Sequence, residues 1–104
     1  MERLRAELRQ TGGFAGLTRN IRVDTATMPP ADAVRLVQLA DMADLSAIER
    51  GSSGRTRGAD LMHYELTVER GGRRWHGTLS DPDIPPRIRP LLQFLTHYSP
   101  PATP

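Results

Sequence analysis

Residues 62–79 constrain the fold of this chain more than any other stretch. Met62, Tyr64, Leu66 and Val68 alternate with His63, Glu65, Thr67 and Glu69, the period of a strand with one buried face. Gly71-Gly72 interrupts the pattern, and Trp75, Gly77 and Leu79 resume it. Two glycines tolerate the positive φ angles that a two-residue hairpin turn requires. Setting Arg70 opposite Arg73 pairs Val68 with Trp75, Leu66 with Gly77 and Tyr64 with Leu79. All of these fall on one face, so the register is self-consistent. On the other face Glu69 meets Arg74 and Thr67 meets His76.

The remaining elements follow from the same periodicities. Leu4, Ala6 and Leu8 alternate with Arg3, Arg5, Glu7 and Arg9, which predicts a strand over 3–9. Leu17, Arg19, Ile21 and Val23 share one face of a second strand, leaving residues 10–16 as a long hairpin loop. Met28-Pro29-Pro30 opens a helix, because proline costs nothing where the N–H has no intrahelical partner. Asp24 or Thr27 is expected to cap it. Val34, Val37 and Ala40, with Ala33 and Leu36, form its apolar stripe, and it should end near Ala43 or Leu45. Residues 49–59 are rich in glycine, serine and arginine and carry no period, as in a flexible loop. Asp81-Pro82-Asp83 reads as a turn, with Asp83 capping a second helix that starts at Pro85 or Pro86. Its stripe is Ile88, Leu91, Leu92 and Leu95, and Pro90 is expected to cost it one hydrogen bond. The order is ββαββα. It implies an α+β domain of two layers: a four-stranded, mostly antiparallel sheet with two helices on one face. One domain over 1–98 and a flexible proline-rich tail over 99–104 account for the chain.

Composition narrows the function classes. With 38% apolar and 25% charged residues, the 104-residue chain is expected to fold. It has no cysteine, which excludes disulfides, thiolate zinc sites and cysteine nucleophiles. No apolar run reaches membrane-spanning length, and the charged start lacks a signal-peptide core, so a cytoplasmic location is expected. All 14 basic residues are arginine, against 12 carboxylates, for a net charge of +2. Interleaved in this way they describe a solvated, ion-paired surface. An alternative is a single patch of Arg19, Arg22, Arg55, Arg57, Arg73 and Arg74 that makes the protein an adaptor for nucleic acid or an acidic protein partner.

No catalytic set is apparent. His63, His76 and His97 lack the convergent spacing of a metal site and are read as surface residues. No serine sits in a nucleophile elbow, and the aspartates at 81 and 83 are explained by a turn and a cap. No enzyme activity, metal or cofactor is expected. The glycine-rich stretch Thr11-Gly12-Gly13-Phe14-Ala15-Gly16 is not a phosphate loop, since a strand follows it where a helix is needed. Its unusual member is Phe14, a bulky apolar residue that either folds back onto the core or is offered to a partner.

The run from Gln10 to Arg19 after a short charged strand resembles the emfourin family. So do the helix-opening Pro29-Pro30, the strand Asp60 to Val68 followed by Gly71-Gly72-Arg73-Arg74, and the closing Arg89-Pro90-Leu91-Leu92 with Leu95. The resemblance spans roughly residues 3–96, nearly one whole domain, and Gly-Gly-Phe-Ala-Gly is its most specific part. Emfourins inhibit thermolysin-like zinc metallopeptidases of the protealysin type. The resemblance therefore implies a proteinaceous inhibitor that covers the cleft of such an enzyme, with no metal of its own. It implies partner-binding residues in and beside the glycine loop: Gly12, Gly13, Phe14, Ala15, Gly16, Leu17 and Arg19. Phe14 or Leu17 suits the bulky apolar pocket just past the scissile bond. The expectation is that Phe14 is at least partly buried, leaving loop backbone, Ala15 and Leu17 as the contacting atoms. Residues 45–59 depart from the family in their glycine and arginine content, and 51–58 form the second candidate site.

Overall fold

The first strand of the chain lies inside the sheet. In the computed structural model, which describes residues 3–12, 17–50, 62–80 and 84–98, β1 (Leu4–Gly12) pairs on one side with β2 (Leu17–Asp24) and on the other with β3 (His63–Arg70). β4 (Arg73–Ser80) pairs with β3, so the order is β2-β1-β3-β4, antiparallel throughout. Every pair of the β3–β4 register stands as the alternation dictates: Arg70 with Arg73, Val68 with Trp75, Leu66 with Gly77 and Tyr64 with Leu79. Gly71 and Gly72 adopt φ of 56° and 80°, the left-handed pair that a tight hairpin turn needs.

Leu4, Ala6, Leu8, Ile21, Val23, Leu66, Val68, Trp75 and Leu79 are buried on one face of the sheet. Each large side chain among them stabilises the fold by about 1.5–3 kcal/mol relative to exposure. Three helices cover this face: α1 (Pro30–Met42), α2 (Ser46–Arg50) and α3 (Arg89–His97). α3 buries Leu91, Leu92 and Leu95, and Ile88 just before it is fully buried, as its stripe requires.

Several details differ from the sequence reading, each for a local reason. β1 and β2 run on to the pairs Thr11–Thr18 and Gly12–Leu17, so the loop expected over 10–16 shrinks to residues 13–16. Cross-strand pairing continues as far as the turn permits, past the point where apolar alternation stops. α1 buries Ala33, Leu36, Leu39 and Ala40, while Val34 is 47% exposed. Two stripes overlap in this helix, and the one combining leucine with small alanine packs closest. Neither Asp24 nor Thr27 caps α1; Pro29 is its N-cap and accepts no side-chain partner. The Asp24 carboxylate instead receives the Arg3 guanidinium and the Ala26 N–H (2.9 Å). The hydrogen bonds from Arg3 and then from Ala26 hold its pKa down at about 2.

α3 begins at Arg89, later than expected, because residues 85–88 form a turn in which Ile88 N–H bonds the Pro85 carbonyl at 2.9 Å. Pro90 then falls in the first helical turn, where its missing N–H removes no hydrogen bond. Asp83 lies outside the described residues, as do the turn at 81–83 and the tail at 99–104.

α2 has no counterpart in the sequence reading, which left the stretch from Glu49 as loop. It packs on β4 at Gly77: a β-carbon there would sit 1.8 Å from the Ile48 carbonyl oxygen. Strand β4 thus gives up a side chain so that helix backbone can rest on it. Ala47 and Ile48 are buried as a result.

Candidate functional site

The register gathers the chain's irregular segments at one end of the sheet. Thr18, Thr11, His63 and Ser80 form a single cross-strand row, one residue short of the Gly12–Leu17 pair. From this row the chain departs into 13–16 after β1 and into 81–83 after β4, and here it returns from 51–61 into β3. The glycine segment and the second candidate, 51–58, are therefore anchored at the same end. That adjacency escapes sequence reading because it depends on the β1–β3 pairing, which no turn connects.

Of the residues expected to bind a partner, Gly13, Phe14, Ala15 and Gly16 lie outside the described residues, as does the side chain of Leu17. Gly12 adopts φ of 122°, a backbone that residues with a β-carbon avoid. Arg19 pairs with Gln10 across the strands. It is exposed, and its Nη1 donates a 2.7 Å hydrogen bond to the Thr96 carbonyl. A cation at the C-terminal carbonyls of α3 is favoured by the helix dipole, so Arg19 ties the root of the glycine segment to that helix. Beside it, the Phe94 and Tyr98 rings stand 5.5 Å apart. The Tyr98 hydroxyl donates to Asp32 of α1 at 3.2 Å. Burial first, then the Asp32 carboxylate, raise the phenol above its ordinary pKa.

The sheet face away from the helices carries only polar strand residues. Its rows run Asp24–Arg5–Glu69–Arg74, Arg22–Glu7–Thr67–His76, Asn20–Arg9–Glu65–Thr78 and Thr18–Thr11–His63–Ser80. Opposite charges alternate, with Arg5 to Glu69 at 2.5 Å, Arg22 to Glu7 at 3.6 Å and Arg74 to Glu69 at 3.8 Å. A shallow hollow of about 570 Å³ over the Arg5 and Glu7 rows is lined mostly by these charged and polar groups, with Ala6 and Val23 among them.

The histidines are engaged at the surface. His63 Nδ1 shares a hydrogen bond with Ser80 Oγ at 2.8 Å, His76 Nδ1 with Thr67 Oγ1 at 2.7 Å, and His97 Nδ1 donates to the Gln93 carbonyl at 2.9 Å. Among the described residues no three histidine or carboxylate side chains converge as a metal site would demand, and no polar or charged residue is buried. No described helix is long and apolar enough to cross a membrane.

Of the six arginines read as one possible patch, the four that are described are dispersed. Arg19 lies against α3, Arg22 faces Glu7 on the open face, and Arg73 and Arg74 stand at the far end of the sheet. Arg55 and Arg57 lie outside the described residues. The Emfourin family model matches residues 8–96 of the chain. No curated protein matches it, and no solved structure does.

Proposed function

The chain belongs to the emfourin family, a family of metallopeptidase inhibitors, and on that premise we propose that it inhibits a thermolysin-like zinc metallopeptidase by docking over the active-site cleft and excluding substrate. The family match over residues 8–96 carries this reading. The glycine segment joining β1 to β2 is the contact element, with Gly12, Gly13 and Gly16 setting its path and Phe14, Ala15 and Leu17 reaching the enzyme. Two features support it. The segment is longer than hairpin closure needs, and glycines let backbone approach a partner closely. Its roots are also held firmly, by the Gly12–Leu17 pair and by Arg19 on Thr96, and preorganisation of this kind lowers the entropic cost of binding. The zinc belongs to the enzyme, and the inhibitor supplies no ligand to it.

Titration of the purified protein against a thermolysin-like peptidase with a peptide substrate tests the reading. Activity should fall at near-stoichiometric inhibitor and trypsin should be spared. Full activity of every thermolysin-like enzyme tried would overturn it, and inhibition reversed by added zinc would replace docking with chelation.

A further inference from the structure

Five arginines surround the Gly71–Gly72 turn, at the end of the sheet opposite the glycine segment. Arg3 and Arg5 enter from the start of β1, Arg70 from the end of β3, and Arg73 and Arg74 from the start of β4. With Glu69 and the two glycines they line a concavity of about 460 Å³. A β-carbon at Gly72 would meet nothing within 4 Å, so the turn does not obstruct it.

The carboxylates here are fewer than the guanidinium groups. Asp24 takes Arg3, and Asp41 takes Arg70 at 2.6 Å. Glu69 is shared between Arg5 and Arg74. Arg73 has no carboxylate among the described residues; its guanidinium lies 4.9 Å from the ring centre of Trp75. Among the described residues, five cations against three anions leave a surplus of two at this end.

We propose that this end is a second docking surface, separate from the glycine segment, which takes an acidic segment of a protein partner presenting at least two carboxylates to Arg73 and Arg74. A guanidinium binds a carboxylate through two parallel N–H donors. Arg73 and the half-compensated Arg74 provide two such forks on either side of the strand. Nucleic acid fits less well. Asp24, Glu69 and Asp41 interrupt any line of cations along which a phosphate backbone would run, and two surplus charges release few counterions. The row of Leu4 and Arg70 lies seven residues from that of Thr11 and His63, about 23 Å along the strands. One partner is thus able to dock without covering the other site.

The test is calorimetric titration of the whole chain with hexaglutamate at low salt. The fluorescence of Trp75, the only tryptophan, serves as a local reporter beneath Arg73. Hexaglutamine and a thymidine hexanucleotide are the comparison ligands. Hexaglutamate should bind, shift the Trp75 emission and weaken with salt, and hexaglutamine should not bind. In R73Q/R74Q its affinity should fall at least about tenfold, the value of one charge-assisted pair, while peptidase inhibition stays unchanged. If that variant melts early, R5Q/R74Q leaves the Arg73–Trp75 stack in place and carries the same expectation. Undiminished hexaglutamate binding in both variants would overturn the proposal, as would tighter binding of the oligonucleotide. Loss of peptidase inhibition in the well-folded variants would overturn the separation of the two surfaces, and absence of inhibition in the wild type bears only on the inhibitor reading.

Discussion

The two hairpins of this sheet are built from strands of similar length and end differently. β3 and β4 close through two glycines in left-handed conformation, and no residue is spare. Their inward positions, Tyr64, Leu66, Val68, Trp75 and Leu79, are all buried. β1 and β2 close through four residues. At that end the helix-side face of β2 presents Arg19, which is exposed, before Ile21 and Val23 reach the core. The first arrangement commits its apolar residues to packing. The second holds back a segment whose aromatic residue, Phe14, lies beyond the last strand pair. Stability should therefore respond to substitutions in one hairpin and inhibition to substitutions in the other.

The largest effect is expected at Trp75. It is 8% exposed and opposes Val68, so Trp75→Ala should lower unfolding stability by about 3–5 kcal/mol, measured by urea denaturation. A loss below about 1 kcal/mol would remove the hairpin from its role as the packed half, since that is the range of ordinary surface substitutions. Gly77→Ala comes next. Its methyl group would collide with the Ile48 carbonyl, and pushing α2 off the strand should cost about 2–3 kcal/mol. Protection of the Ala47 and Ile48 amides from hydrogen exchange should fall with it.

Phe14→Ala sharpens the contrast from the other side. A partly buried Phe14 predicts a melting temperature lower by a few degrees and inhibition weakened by about 1 kcal/mol. Inhibition weakened by about 2 kcal/mol or more at an unchanged melting temperature would make Phe14 the anchor itself.

Acid should then act on the β1–β2 pair. The folded-state pKa of Asp24 is depressed from 3.8 to about 2, so on acidification the unfolded chain takes up this proton first. The stabilisation is fully present above the unfolded value and is lost as pH falls from about 4 to about 2. Asp24→Asn should flatten that part of a stability–pH profile and leave neutral pH free of any slope from this group. The smallest effect belongs to Arg19→Ala. One exposed bond to Thr96 is worth about 1 kcal/mol or less in stability, and a larger drop in inhibition than in stability would show that it positions the glycine segment.

What the sequence disclosed tracks how locally each feature is determined. The β3–β4 register is legible pair by pair, because a period of two and a two-residue turn leave one solution. The pairing of β1 with β3 is not, since more than fifty residues separate Leu8 from Leu66 and alternation alone does not choose a neighbour. α2 escapes notice because five residues carry too little period. A signal for it did exist, in the glycine at position 77 of an otherwise well-filled strand. In α1 the valines at 34 and 37 compete with Leu36 and Leu39, and only packing against the sheet decides between them. The expected contact residues rest on the family motif around Phe14; periodicity says nothing of them.

The alternating rows of the open face have a consequence at long range. Charges of opposite sign set side by side cancel each other's field within about one Debye length, ~8 Å at physiological salt. A body diffusing past that face meets almost no force. The Gly71–Gly72 turn, where five arginines meet three carboxylates among the described residues, instead forms a positive pole, and such a pole biases the angle of approach as well as the encounter rate. Acidic bodies are drawn in turn-first, and in that orientation the opposite tip, with its glycine segment, points away from them into open solution.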